Sequence, residues 1–589
     1  MFLRTTTRKR GDKTYQSLHL VESVRTKEGK IRQNIIVNFG PAHKYSRGQV
    51  KAMIGAFKRF FKIEDSASEV AAPEISQDFG ATFAIFRIWE TLGWTGVIKK
   101  HLEDRRFDFD VIANLKVLVA NRLLDPMAKL HILDWMEGVY FPGIDRGQVD
   151  YNHLLRAMDF LIEHKTELEP RLASPILNLF DGALDLVFYD LTSCYFEIDS
   201  DDKDSKKNEK KCVTTLRNHG YDRDRSGCPQ VVLGLVMTRD GIPLCHYVFP
   251  GETPDKSTFR EVISDIKARF PIKRCIVVAD RGLLSQQNLD VLSDAGLGVI
   301  VARPLRQNRI SQEAIRAVGK EIKRQISDWE TRKVALSDRE CFHEALIDER
   351  RFIVAHNDEM ARQSKDTRKL RLAEATSYVK WRIARTTARL SGNIPATGKV
   401  LTHQETLLHL HDYLRDRNLT KFYEIYLDDQ GHVAWRPNNE NRLWERQIDG
   451  KLVLETTSKA LSPEEVVLQY KELQDIERCF RTLKSSLDIR PMYHRADRRV
   501  EAHIFMCVMA LQLHRFIRSR LNHAKIVKSP ERVLEKLSFQ RTVEAQVNGQ
   551  SVKGLTAPTP EQLSFYDALG VASPQYQDIN TQCSDDTKN

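Results

Sequence analysis

The feature that most constrains the fold is a series of apolar segments between residues 184 and 302. Five of them have the apolar continuity or the turn boundaries of strands, at 184–191, 230–237, 243–249, 274–280 and 297–302. Residues 258–270 and 285–294 have helical spacing instead. The order is β-β-β-α-β-α-β, with hairpins first and crossovers after. It predicts an α/β fold with a mixed five-stranded sheet that has helices on its faces.

A long interruption follows the fifth predicted strand. Between Arg362 and Arg389 it contains nine Lys or Arg against two acidic residues, and short strand-like pieces follow. Residues 451–456 have a strand pattern that leads into a final amphipathic helix. We therefore interpret 304–454 as a domain with β-rich and basic helical parts, inserted into a loop of the sheet.

The remaining segments complete a six-part division of the 589 residues, which are too many for one hydrophobic core. The amino-terminal segment is basic and has a hairpin pattern, and the segment after it has helical spacing that could include a helix-turn-helix. The predicted division is a hairpin region and linker at 1–75, a helical and DNA-binding domain at 76–180, a sheet core at 181–303 and 455–525, the insertion at 304–454, and a carboxyl-terminal region with a disordered tail at 526–589.

The final helix, predicted over 461–490, places several polar side chains along one side. Ser462, followed by a proline and two glutamates, is a helix start. Tyr470, Glu477 and Lys484 stand seven residues apart and drift by only about 20° per step. Arg481 lies one turn past Glu477 on the same side. By itself this stripe could be a solvated face in which Glu477 attracts Arg481 and Lys484.

Three carboxylates fall where the predicted fold could bring them together. Asp190 ends the first strand, Asp280 ends the fourth, and Glu477 lies on the final helix. Neighbouring strand ends in an open α/β sheet form ligand-binding crevices. Local alternatives exist, since Asp190 could cap a turn with Thr192 and Asp280 could be an ordinary turn aspartate. The common topological position favours a shared site.

A shared site of three carboxylates implies bound cations. Three anions that converge without a counter-charge would repel one another. Hard divalent cations prefer oxygen ligands and remove that cost. Two such ions about 3.5–4 Å apart stabilise both the entering and the departing oxygen of an in-line phosphoryl displacement. The basic residues near Glu477 suit a phosphodiester backbone.

Composition narrows the remaining classes of protein. The 91 basic and 80 acidic residues give a net charge of +11, so the clustering of charge matters more than its sum. Nine cysteines without a CxxC pair argue against zinc and against a disulfide framework. No apolar run reaches 18 residues, and no signal peptide is evident. We expect a soluble protein in a reducing compartment, without a membrane partner.

Several blocks, taken in order, resemble a known family. Tyr470, Glu477 and Lys484 match the spacing of a Tyr-x2-Arg-x3-Glu-x6-Lys signature, with Leu473 at the position of its arginine. Residues 189–192, 280–282, 480–484 and 490–494 and the amino-terminal hairpin also resemble blocks of this group. The chain is similar to DDE-class insertion-sequence transposases that have this Y-R-E-K signature.

The resemblance implies a ribonuclease H-like core in which Asp190, Asp280 and Glu477 are the catalytic, metal-binding triad. It implies Mg²⁺ as the cofactor, with Mn²⁺ able to substitute. It further implies binding of double-stranded DNA at terminal inverted repeats and target sites, end cleavage, strand transfer and synapsis by a homodimer. The expected location is the cytoplasm of a bacterial or archaeal cell, at the nucleoid when the protein is bound to DNA.

Contacts to DNA near the cut are expected from the same helix. Tyr470 and Lys484 would hold phosphates. The signature's missing arginine leaves a backbone contact that Lys471, Arg478 or Arg481 could supply. These assignments follow from the resemblance together with the helical spacing.

Two further interpretations stay open at the level of sequence. Trp435 or Trp444 in the insertion could stack on a flipped base, or each could pack within its own domain. The protein could instead be a related DNA nuclease without strand transfer, or a retired DNA-binding derivative. The acidic residues could also be structural and bind no metal.

Overall fold

A computed structural model gives the fold. The residues that it describes are 2–10, 13–25, 31–41, 44–60, 75–103, 105–179, 186–197, 215–221, 227–270, 276–279, 286–294, 296–306, 308–395, 398–494, 496–547 and 550–579. Asp280 lies outside the described residues, as do 281 and 282 of the same predicted block.

The chain divides into two compact units, one formed by residues 1–158 and 516–589 and the other by residues 159–515. The first elements are β1 (Phe2–Arg10), β2 (Lys13–Arg25), β3 (Ile31–Pro41), α1 (Arg47–Phe60), β4 (Ile75–Asp78), α2 (Gly80–Thr91), α3 (Trp94–Lys100), α4 (Val111–Leu124), α5 (Ile132–Trp135) and α6 (Tyr151–Glu163). Those of residues 165–302 are α7 (Lys165–Leu179), β5 (Leu186–Tyr195), β6 (Gln230–Thr238), β7 (Pro243–Pro250), α8 (Asp255–Arg269), β8 (Ile276–Ala279), α9 (Gln286–Asp294) and β9 (Gly298–Ala302).

The elements after β9 form the rest of the second unit and return to the first. Up to the last long helix they are α10 (Arg309–Arg332), β10 (Glu340–Ile347), β11 (Arg350–Asn357), α11 (Asp358–Leu390), α12 (His403–Asp416), β12 (Tyr423–Leu427), β13 (Val433–Pro437), α13 (Asn439–Ile448), β14 (Lys451–Thr456), α14 (Pro463–Lys471), α15 (Leu473–Ser485) and α16 (Asp497–His523). The last elements are α17 (Pro530–Ser538), β15 (Arg541–Val547), β16 (Gln550–Leu555) and α18 (Pro560–Leu569).

The first unit contains two three-stranded antiparallel sheets, in the orders β1-β2-β3 and β16-β15-β4. The predicted amino-terminal hairpin corresponds to β2 and β3. The sequence analysis missed β1, which pairs along its whole length with β2, from Phe2 opposite Val21 to Arg10 opposite Lys13. Its run of β-branched threonines favours an extended strand. Its basic residues instead suggested a charged segment that precedes the hairpin.

The second unit is built on one mixed sheet of eight strands, in the order β10-β11-β14-β9-β8-β5-β6-β7. All five predicted strands are present, but the prediction of a five-stranded sheet is wrong. Strand β14 pairs antiparallel with β9, with Leu454 opposite Ala302, and the hairpin β10-β11 adds to its other edge. This extension of the sheet was not predicted, because β10 alternates irregularly between polar and apolar residues and is only partly buried.

The part of the insertion that follows the hairpin has its own small core. The 33-residue helix α11 and helix α12 pack against the β12-β13 hairpin around Val379, Leu410 and Phe422. Strands β10 and β11 lie in the range that the sequence analysis assigned to the insertion, but they belong to the sheet.

The predicted final helix is two helices. Ser462 caps α14 in a reciprocal capping box with Glu465, as the sequence indicated. The helix then ends at Lys471, and α15 starts at Leu473, with Glu472 between them. No glycine or proline marks this break, so helical spacing alone predicted one continuous element.

The apolar helix predicted at 500–517 lies within α16. Among the described residues this is the one helix long and apolar enough to cross a membrane by length and composition, and 89% of its apolar window is buried. That degree of burial is expected of a core helix.

Candidate active site

Two of the three predicted carboxylates line one cleft in the second unit. Asp190 lies on β5 and is half-buried, whereas Glu477 lies on α15 and is exposed. Helix α15 packs against β5. Both side chains contribute to a cleft of about 1390 Å³. The fold thus brings together two acids that are far apart in sequence.

The sheet register also places the residue directly before Asp280, the third carboxylate, next to β5. Strands β5 and β8 are parallel neighbours, and Tyr189 is paired with Ala279. These two residues immediately precede Asp190 and Asp280, although Asp280 itself is not among the described residues. Tyr189 is fully buried, and its hydroxyl is 2.9 Å from that of Thr258 on α8. This contact fixes the part of β5 next to Asp190. The strand continues to Tyr195, so the prediction that Asp190 ends it is wrong.

Helix α15 holds Glu477 in place through its opposite side. Ile476, Cys479, Phe480 and Leu483 are buried. Among the described residues no basic side chain forms an ion pair with Glu477. This side of the helix therefore presents the carboxylate to the cleft, while the apolar side anchors it.

The predicted DNA-contact residues divide into two groups. Tyr470 is half-buried and lines the cleft with Glu477. Arg478 and Arg481 are exposed and Lys484 is half-buried, and none of the three lines the cleft. Arg478 forms an exposed ion pair with Asp475 at 2.7 Å. The break at Glu472 and the turn of α15 therefore separate Tyr470 from the basic residues that the sequence placed beside it.

The position of the arginine that is missing from the signature lies in the cleft. Leu473 is buried and lines the cleft, so no cation stands at that position. Lys471 lines the cleft and donates to both oxygens of Glu340, at 2.9 and 3.0 Å. Of the three residues considered for the missing arginine, Lys471 is the one in the cleft.

The other walls of the cleft carry cations that the sequence analysis did not single out. Except for Arg303, which directly follows β9, they come from the sheet extension and the insertion, where only an overall basic excess was visible in the sequence. With Lys471, the basic residues lining the cleft are Arg303, Arg306, Arg368, Arg371, Lys421 and Lys451.

Several of these cations are tied to acids of the same cleft. Arg368 donates to both oxygens of Asp449, each at 2.5 Å. Glu445 accepts from Arg306 and from Lys421 at 2.6 Å. Burial opposes the ionisation of Glu445, but hydrogen bonds from Arg306 and Lys421 outweigh it and lower the pKa of the carboxyl group. These acids are already neutralised by protein cations.

A buried histidine in the cleft adds no charge at neutral pH. His356 on β11 is paired in register with Lys451 on β14, and both line the cleft. Burial, with repulsion from Lys451, lowers the pKa of His356 to about 4. The positive charge of the cleft is therefore carried by lysine and arginine.

The two tryptophans considered for base stacking pack within cores. Trp435 joins the core of the insertion, with its ring 5.7 Å from that of Tyr423. Trp444 packs against the core between α10 and the sheet extension. In contrast, Trp381 on α11 is 48% exposed. Trp435 and Trp444 are both half-buried, and the stacking of either on a flipped base stays a prediction.

Among the described residues no group of three His, Cys, Asp or Glu side chains is placed to hold a metal ion. Asp280 lies outside those residues. Asp190 and Glu477 are both carboxylates of this cleft, and carboxylate oxygens suit hard divalent cations.

Comparison with known families identifies the class of protein. The family described as "Transposase DDE domain" matches residues 198–513, more than half of the chain, and the chain belongs to this family. The match includes Asp280 and Glu477, and Asp190 precedes it. Residues 3–69 match the family described as "IS1634 family transposase, N-terminal domain". The protein is thus an insertion-sequence transposase of the DDE type.

Comparison with individual proteins adds little. A cryo-EM structure of the piggyBac transposase synaptic complex with hairpin DNA aligns with a TM-score of 0.32 and 9% identity, over 78% of each chain. No curated protein sequence matches.

Proposed function

We propose that this transposase cleaves the ends of its element and joins them to target DNA in the cleft that contains Asp190 and Glu477. The observation that carries the proposal is the shared cleft, together with the pairing of Tyr189 and Ala279, the residues directly before Asp190 and Asp280. In this proposal the strands of residues 186–302 form a ribonuclease H-like core. The region 1–75 and the helical domain 76–180 bind the terminal inverted repeats.

Asp190, Asp280 and Glu477 would hold the divalent cations, Mg²⁺ with Mn²⁺ as a substitute. Carboxylate oxygens are the donors that these ions prefer. When bound, the ions supply activation of the attacking oxygen and stabilisation of the departing one. Glu445 and Asp449, two other acids of the cleft, would not compete, because they are paired with basic side chains.

The remaining residues of the cleft would position the DNA backbone. Tyr470 and Lys471 lie on the same side as Glu477 and would contact phosphates next to the cut. Lys471 would exchange Glu340 for a phosphate oxygen of the DNA backbone. Arg478, Arg481 and Lys484 lie outside the cleft and would contact DNA beyond it. In the cell, two copies would hold the two ends in the cytoplasm of a bacterium or archaeon.

Single substitutions in the cleft test the proposal. Asp190→Ala, Asp280→Ala and Glu477→Ala should each abolish end cleavage, because each removes a cation ligand, while end binding stays close to wild type. Glu445→Gln and Asp449→Asn are matched controls, since they remove an acid from the same cleft that is already paired. A Mg²⁺-dependent nicking assay on plasmids with the element's ends measures both sets.

Retained cleavage in any of the three alanine variants would contradict the proposal. So would loss of cleavage in the two controls together with full activity in any alanine variant.

A second assay separates a transposase reaction from simple nuclease action. Pre-cut ends with free 3′-hydroxyl groups, mixed with a target plasmid, should be joined to it by the wild type. A nuclease without strand transfer would leave them unjoined, and a retired DNA-binding derivative would bind the ends without cutting or joining.

A further inference from the structure

The carboxylate of Glu340 bridges two walls of the cleft. Glu340, the first residue of β10, accepts from Lys471 Nζ at the end of α14, with its two oxygens at 2.9 and 3.0 Å. It also accepts from Asn357 Nδ2, at the end of β11, at 2.8 Å. All three residues line the cleft that contains Asp190 and Glu477. Two donors from different elements thus converge on one anionic group.

The Asn357 side chain is held in place by contacts that do not involve Glu340. Its backbone N–H donates to the Gly450 carbonyl oxygen at 2.8 Å. Its Oδ1 accepts from the Met360 N–H at 2.8 Å, as the cap of α11. Because the oxygen and the nitrogen belong to one amide group, fixing Oδ1 also fixes the direction of Nδ2. The donor therefore keeps its direction when its acceptor changes.

Glu340 is an anion at neutral pH. Burial opposes its ionisation, but hydrogen bonds from Asn357 and Lys471 outweigh it and lower the pKa of the carboxyl group. Donors that converge on a carboxylate, one of them a cation, also suit the oxygens of a phosphodiester. In the free protein Glu340 therefore stands where a backbone phosphate could bind.

Among three paired acids of the cleft, Glu340 is the most exposed. Its side chain is 30% exposed, against 9% for Glu445 and 12% for Asp449. Those two are held by arginines, whose planar guanidinium fits a carboxylate as a fork. Lys471 is instead a flexible, hydrated point charge. An incoming phosphate can therefore displace Glu340 without breaking a buried ion pair.

We propose that Lys471 and Asn357 form a phosphate site for the DNA backbone, which Glu340 fills until DNA displaces it. The inference rests on the proposed function for the identity of the ligand. It adds Asn357 as a donor and Glu340 as a competing anion. Because DNA that reaches Lys471 must first break the contacts of Glu340, this carboxylate weakens the binding of DNA in the cleft.

The direct test measures the reactivity of Lys471 in the wild-type protein. An acetylating ester labels accessible lysines, and mass spectrometry quantifies the label at each position. A duplex that carries the element's end, added in excess with Ca²⁺, should remove most of the label from Lys471. Inorganic phosphate at an equal phosphate concentration should leave the label unchanged. Full labelling of Lys471 in the DNA complex, or equal protection by inorganic phosphate, would overturn the proposal.

A charge variant gives a second measurement. Glu340→Gln keeps the shape of the side chain but removes the anion. It should bind the same duplex about five-fold more tightly, because no exposed ion pair has to break. The matched control is Glu344→Gln on the same strand, which removes the same charge beside Arg351, outside the lining of the cleft. The control should keep wild-type affinity in fluorescence anisotropy, and equal gains for both variants would overturn the proposal.

A third variant tests the second donor. Asn357→Ser keeps an oxygen that can cap α11 but removes the amide donor. Combined with Glu340→Gln, it should weaken binding about three-fold relative to Glu340→Gln alone, the loss expected for one hydrogen bond. Equal affinities of the single and the double variant would overturn a site with two donors.

The two proposals fail in different ways. If Asp190→Ala left cleavage intact, the assigned catalytic site would be wrong, yet the labelling of Lys471 would still report on the phosphate site. If DNA left Lys471 unprotected while Asp190→Ala was inactive, the catalytic site would stand and the phosphate site would not.

Discussion

At the scale of single residues, the second unit depends on a buried carboxylate that takes no part in the cleft. Glu169 on α7 is 2% exposed. It accepts from the His246 backbone N–H at 2.8 Å and from Arg269 at 2.6 Å. Burial opposes its ionisation, but His246, Lys165 and Arg269 lower the pKa of Glu169 to about 2. The ionised group joins α7 to the edge strand β7 and to α8.

Replacement of this carboxylate tests that role. Glu169→Gln keeps the shape but leaves Arg269 with only Asp265 as a counter-charge, so we expect a loss of about 3 kcal/mol in the free energy of unfolding. Urea denaturation measures it. Asp412→Asn breaks an exposed pair with Arg415 and should cost less than about 1 kcal/mol. Equal costs for the two variants would show that Glu169 is not a structural anchor.

At the scale of elements, a glycine fixes the point where the insertion returns to the sheet. Gly450 precedes β14 with a φ of +64°, and an added Cβ would lie 2.3 Å from the Asn357 carbonyl oxygen and 2.7 Å from Ala361 Cβ. The Asn357 side chain caps α11 by accepting from Met360 N at 2.8 Å. The start of α11 is thus packed directly against this turn.

Two alanine substitutions separate packing from backbone conformation. Gly431 has a φ of +77° and open space around its Cβ position, so both Gly431→Ala and Gly450→Ala carry the cost of a left-handed residue, about 1–2 kcal/mol. Gly450→Ala must also displace backbone atoms, and we expect it to cost about 1–3 kcal/mol more. Thermal unfolding of both variants measures the difference, and equal destabilisation would contradict the close approach.

The elements that the sequence predicted well are those with strong local signals. Continuous apolar runs located β5 to β9, and Ser462 with Glu465 located the start of α14. Strands β10 and β11 were assigned to the insertion because their membership of the sheet depends on pairing with β14, far away in the chain. The break at Glu472 has no local marker.

At the scale of the whole molecule, the proposed activity depends on acids brought together by topology. Local sequence identifies Asp190, Asp280 and Glu477 as candidates, but the sheet order and the packing of α15 on β5 decide whether they can meet. The basic walls of the cleft were not predicted, because they come from the sheet extension and the insertion, whose placement is a tertiary property.

The most direct measurement of this central claim is cleavage of the polypeptide by a bound metal. Fe²⁺ in place of Mg²⁺, with ascorbate and peroxide, cuts a protein chain close to the ion, and mass spectrometry locates the new ends. The account predicts cuts near residues 190, 280 and 477 together, suppressed by excess Mg²⁺ and lost in Asp190→Asn. Cuts near only one of the three positions, or a pattern unchanged in Asp190→Asn, would contradict a shared metal site.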